Sequence, residues 1–208
     1  MARRQQERTE ISRAQILEAA LDLFSRQGFR GTTVREIAEA AGRSTGNVYH
    51  HFPDKDTIFR TLLDQYWEAI ESPDHPVNRT LADGSFPDNL EDLGRAARKG
   101  VEQYRRYVAL IYVDVVEFEG AHIRRFYRGM AERFRRFVET HPGPFRAAEN
   151  LRPEIPPEFA VMLSTRIFMQ YFAVEILFGV PDHFGGESER VVHEIAAILR
   201  RGMMRETS

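Results

Sequence analysis

Residues 40–59 read AAGRSTGNVYHHFPDKDTIF and crowd small polar groups, a tyrosine and two histidines into one short stretch. Ser44, Thr45 and Asn47 carry hydroxyl and amide groups that can donate to or accept from the base edges of a nucleic acid. Gly46 lets a backbone come close to such a partner. Tyr49 and His50 stand at the reach of phosphates. Lys55, one of only two lysines in the chain, suits a phosphate contact in the first turn of the next helix. Thr33 offers a hydroxyl beside the free N–H groups of an earlier helix start.

Each residue also has a plainer use. Ser44 and Thr33 can be helix caps and no more. Tyr49 and Phe52 can be packing residues. His50 and His51 could be read as a metal pair, but adjacent residues point to different faces of a helix, so no metal site is expected. The joint pattern carries the argument.

These groups need two short helices joined by a tight turn. Ile16, Leu17, Ala20, Leu21 and Phe24 make a helical stripe over residues 10–27, and Gly28 follows as a C-cap. Thr33 stands three before Glu36, a capping-box start. Val34, Ile37, Ala38 and Ala41 line a second helix that Gly42 ends, and Ser44 caps a third that runs through His51. After Pro53–Asp54 a fourth helix buries Ile58, Phe59, Leu62, Leu63 and Tyr66. That is a helix-turn-helix, whose second helix presents its N-terminal residues to the major groove of DNA.

The rest of the chain also reads as helix, with no period-two alternation to suggest a sheet. Residues 71–88, rich in Pro, Asp and Gly, read as a loop. Helices are expected over about 89–119, 121–140, 157–179 and 187–202, with a second Pro-rich loop across 141–157. The fold class is all-α. A DNA-binding domain is expected over 1–53 and a larger helical domain over 54–208, with 54–70 as the connecting helix.

Composition excludes several alternatives. The 208 residues include no cysteine, so neither disulfides nor thiolate chemistry arise. The polar start MARRQQERTE is no secretory signal, and Arg166 and Glu175 make residues 159–180 a buried helix rather than a membrane span; a cytoplasmic protein without a membrane partner is expected. Net charge is only −2, but residues 1–51 hold eight arginines against six acids, with the arginines at an N-terminal arm and at helix ends. There is no HExxH, phosphate-cradling glycine loop or Gly-x-Ser-x-Gly elbow, so no enzyme and no cofactor are expected.

The stretch ILEAALDLFSRQGFRGTTVREIAEAAGRSTGNVYHHFPDKDTIFRTLL resembles the tetracycline-repressor (TetR-type) family of bacterial transcription regulators. Phe24, Gly28, Thr32, Thr33, Ile37, Ala38, Ala41, Gly42, Ser44, Gly46, Tyr49, Phe52 and Lys55 fall where the family places those types. Arg43 departs, because the family usually has a small apolar residue there; it can reach a phosphate or a guanine, or lie along the surface. The resemblance implies a homodimer on a double-stranded operator, most simply a repressor, released by a small-molecule effector bound in the C-terminal domain. An enzyme or ligand-binding protein that merely keeps the scaffold is the alternative.

A four-helix dimer interface is expected from the last two helices of each subunit, with Val191, Ile195, Ile198 and Leu199 on the last one. For the effector, Tyr107, Ile111, Asp114, Phe118, Phe168, Tyr171 and Glu175 combine aromatic and apolar faces with two carboxylates, which suits an amphipathic cation. Pairing of the carboxylates with Arg124, Arg125 or Arg166 would be purely structural, and an inward-turned 124–136 arginine stretch would favour an anion instead.

Overall fold

The computed structural model describes residues 2–145 and 150–205. The side chains of Arg3 and Arg4 in the expected arm, and residues 146–149 of the second loop, lie outside the described residues. Among the described residues eleven α-helices follow in order: α1 Ala2–Gln27, α2 Val34–Ala40, α3 Thr45–His51, α4 Lys55–Glu71, α5 Pro76–Asp83, α6 Leu90–Gln103, α7 Arg105–Glu117, α8 Ile123–Arg128, α9 Met130–Thr140, α10 Pro157–Leu177 and α11 Ser188–Met203. Among the described residues no strand forms, and a single bridge pairs Leu151 with Met204.

The chain divides into two compact units, but not at the expected 53/54 boundary. The first runs to Glu68 and takes in Arg106–Arg125; the second holds Ala69–Arg105 and the chain from Phe126 onward. Two expectations about helix length fail. The helix expected over 89–119 breaks at Tyr104, whose N–H ends the α6 ladder on the Gly100 carbonyl. Leu93, Ala97 and Val101 before the break join one core, whereas Leu110 after it joins the other. The helix expected over 121–140 likewise divides at Gly129 into α8 and α9.

The expected 71–88 loop contains a helix, α5, which Pro76 can open because its missing N–H would be unpaired there anyway. Val77 and Leu81 are buried, and the Asn78 amide donates to the Ile70 and Ser72 carbonyls, so turn-forming residues here tie a helix down.

In the second unit α10 packs between α6, α9 and α11. Gly94 of α6 lies against Phe168 and Val192, where a Cβ would come within 2.7 Å of a Val192 methyl. By length and composition alone α10 could cross a membrane. Its Phe168, Tyr171 and Phe172 are instead buried in this unit's core.

Candidate nucleic-acid interface

In the first unit α1, α2 and α3 close over Ile16, Leu21, Phe24, Ile37, Val48 and Phe52, and α4 adds Ile58, Phe59, Leu62 and Leu63. The α2–α3 turn is a Schellman motif: Arg43 N–H donates to the Ala38 carbonyl and Gly42 N–H to that of Glu39, with Gly42 at φ +64°. Gly42 is left-handed because a residue with a Cβ is strained there. Ser44 then caps α3, its hydroxyl accepting from Asn47 N–H at 3.1 Å.

Val48 anchors α3 in the core, which turns Thr45, Gly46, Tyr49 and His50 outward. Tyr49 is 55 % exposed, so its ring stands clear of the core. The outward face thus carries a hydroxyl, a bare backbone, a phenol and an imidazole, beside exposed Arg43.

Besides the capping Ser44, four more of the predicted DNA contacts have structural partners. Asn47 is half-buried, and its amide oxygen accepts from buried Ser12 of α1 at 2.7 Å. It orients α3 on α1 and leaves its NH2 free to donate to another group. Thr33 forms the full capping box with Glu36, and its hydroxyl and N–H hold the Glu36 carboxyl below its usual range. Arg43 donates to Gln15 of α1 but stays exposed.

Lys55 is the clearest correction. Its ammonium donates to the Phe29 and Thr32 carbonyls, both at 2.6 Å, and sits 4.1 Å from the centre of the Phe29 ring. Burial pushes its pKa down, opposed by the charges of Glu117 and Glu36. The residue ties down the α1–α2 turn and does not offer a free cation to a phosphate.

Sequence reasoning missed the return of residues 106–125 to this unit. Glu117 accepts the N–H groups of Phe29 at 2.9 Å and Arg30 at 2.6 Å, capping the α1–α2 turn from 88 and 87 residues away. Phe118 stacks on Phe59 at 5.0 Å and meets Phe29 edge-on at 4.7 Å. No local pattern marks these contacts, since donors and acceptor are far apart in sequence.

The seven predicted effector residues divide between the units. Tyr107, Ile111, Asp114 and Phe118 belong to the first, and Phe168, Tyr171 and Glu175 to the second. Tyr107 stacks on Tyr66, and Ile111 is half-buried. Asp114 is fully buried without an arginine: Oδ1 lies 2.6 Å from His122 Nδ1, and Oδ2 accepts Ile123 N–H at 2.9 Å. It caps α8 and is a structural carboxylate. In the second unit Phe168 is core, and both Glu175 oxygens lie 2.8 Å from the Ser188 hydroxyl, which can donate to one at a time. The Arg124 guanidinium donates to the Glu119 and Gly120 carbonyls rather than to either acid.

The expected dimer face is corrected too. Val191, Ile195 and Leu199 are buried in their own unit's core, and of the four only Ile198, 69 % exposed, points out.

A short, solvent-facing helix held by a glycine turn on a helical core is the geometry of a helix-turn-helix, the motif whose second helix fits the major groove of DNA. Residues 16–62 match the model of bacterial regulatory proteins of the tetR family. The match makes residues 16–62 a DNA-binding domain of the kind that family carries. It is similar to the transcriptional repressor KstR2 of Mycobacterium tuberculosis, 34 % identical over 110 residues, covering 49 % of this chain and 50 % of the relative. It is also similar to the transcriptional regulator AcrR of Shigella flexneri, 43 % identical over 72 residues, covering 35 % of this chain and 32 % of the relative. The chain thus spans half or less of the length of these curated relatives. The fold extends further than the sequence likeness. NalD, the secondary repressor of the MexAB-OprM multidrug efflux pump in Pseudomonas aeruginosa, superposes with a TM-score of 0.60 at 21 % identity, covering 95 % of this chain and 99 % of that one. A TetR-family structure from Mesorhizobium loti gives 0.68 at 20 % identity, with the same coverage of both chains.

Proposed function

We propose that this protein is a ligand-responsive transcriptional repressor, not an enzyme, which grips a palindromic operator as a cytoplasmic homodimer. The observation that supports this best is the outward face of α3, where Thr45, Gly46, Tyr49 and His50 stand free of the core beside Arg43. Two such helices on a two-fold axis read half-sites whose centres lie about one helical turn apart or a multiple of it. The exposed apolar residues Phe159 and Leu163 on α10 and Ile198 on α11 supply surface for the second subunit.

The test is salt-dependent binding to DNA from the protein's own promoter. Tyr49→Ala should weaken binding on all sequences alike, and Arg43→Ala should also lower the salt slope by about one unit. Thr45→Ala should shift base preference by roughly 1–3 kcal/mol for each base-edge hydrogen bond it removes. Binding that ignores salt, or turnover of a small molecule without DNA affinity, would refute the proposal.

The effector is assigned to the second unit. His75 is 5 % exposed and stacks on Tyr104 at 5.4 Å, and neither ring nitrogen has a hydrogen-bond partner among the described residues; buried Thr165 Oγ1 has none either. Burial lowers the His75 pKa to about 4, so the ring is neutral at physiological pH. Its neutral ring favours an uncharged effector with hydroxyl or carbonyl groups, in place of the cation that two free carboxylates would have favoured. Calorimetric titration of matched neutral and cationic amphiphiles should give heat with the neutral one, abolished by His75→Phe. Binding of the cation alone would reverse the assignment.

A further inference from the structure

A groove of about 550 Å³ runs between the N-terminal half of α1 and α3, lined by Gln5, Arg8, Thr9, Ser12, Arg43, Asn47, His50 and His51. Among these residues no side chain is acidic. The charged and titratable groups acting there come from each element around it: Arg8 and Arg13 from α1, Arg43 from the turn, and His50 and His51 from α3. Arg13 stacks on the Phe52 ring at 5.1 Å, and the two histidine rings meet edge-on at 5.3 Å. The two guanidiniums and two imidazoles lining one concavity make a site for a tetrahedral oxyanion, since both side-chain types donate charge-assisted hydrogen bonds.

We propose that this groove seats a backbone phosphate of the bound duplex, and that His51 takes up a proton as it arrives, so that DNA affinity rises with acidity. The inference rests on the DNA-binding reading above and adds to it where a phosphate sits and how the contact is regulated. Asn47 supports it structurally: with its oxygen held by Ser12, it fixes the wall on which His50 and His51 are mounted.

In the free protein burial lowers the His51 pKa below its ordinary 6.5, helped by the positive charges of His50, Arg13 and Arg43. A phosphate in the groove reverses the sign of the nearby charge, which favours the protonated ring and raises that value. The bound state therefore holds more protons than the free state, and binding tightens as pH falls. The gain begins as pH drops through the raised, bound-state value and ends below the depressed, free-state value.

The experiment measures binding of a labelled duplex of mixed sequence by the full chain, by fluorescence anisotropy, from about pH 8 to about pH 5.5 at constant salt. Wild type should tighten by up to about tenfold per pH unit for each proton taken up. His51→Gln should flatten the profile, while His193→Gln, at an exposed position of α11, should leave it unchanged. In parallel, the His51 ring is titrated by NMR with and without the duplex, and its midpoint should move up on binding. Binding that is tight but independent of pH, or a slope that His51→Gln preserves, overturns the phosphate groove while leaving the DNA-binding reading intact. Failure to bind the duplex at any pH overturns both.

Discussion

Asp114→Ala should destabilise the first unit by about 3–5 kcal/mol, a large share of the stability of a domain this size. The carboxylate is fully buried and receives the His122 ring nitrogen at 2.6 Å and the Ile123 N–H at 2.9 Å, with the His122 backbone N–H more distant at 3.4 Å. Alanine strands these donors inside the protein, and a buried donor without a partner forfeits its full desolvation cost. Asp114→Asn keeps the shape but puts an NH2 against one of the donors, so its stability should fall between wild type and Asp114→Ala. Guanidinium melts read by amide exchange at α1 and α4 would report the loss. A midpoint for Asp114→Ala close to that of wild type would mean that the carboxylate is dispensable to the fold.

A pair of charges on α11 should separate folding from assembly. Ile195 is 8 % exposed and packed in the core, whereas Ile198 is 69 % exposed. Ile195→Asp buries an unpaired carboxylate and should cost about 4 kcal/mol, enough to unfold the second unit in a marginally stable protein. Ile198→Asp should keep a wild-type circular dichroism spectrum and melt while shifting sedimentation from dimer to monomer. If Ile198→Asp sediments as an intact dimer, the subunits meet on another surface.

These outcomes follow from features that differ in how openly the sequence displays them. The capping box at Thr33 and Glu36, the Gly42 turn and the Ser44 cap are written in neighbouring residues, so the helix-turn-helix was legible. The break at Tyr104 was not, because it depends on which core each half of the stretch joins. On α11 the apolar stripe was read correctly but given the wrong partner: Val191, Ile195 and Leu199 satisfy their own unit first. The site divides the same way. Tyr49 and His50 are outward, as the spacing on α3 implies, while Lys55 and Asn47 are held by Phe29, Thr32 and Ser12, acceptors and donors that only the folded chain brings near.

The late arrival of Glu117 also governs how the protein can be made. A ribosome extrudes α1 to α4 first, yet the N–H groups of Phe29 and Arg30 find their acceptor in Glu117, and the rings of Phe29 and Phe59 pack on Phe118. Domains generally fold as units during synthesis. The first unit of this chain therefore stays incomplete until residues 106–125 have emerged, and a nascent chain stalled before residue 106 presents that unit unfinished.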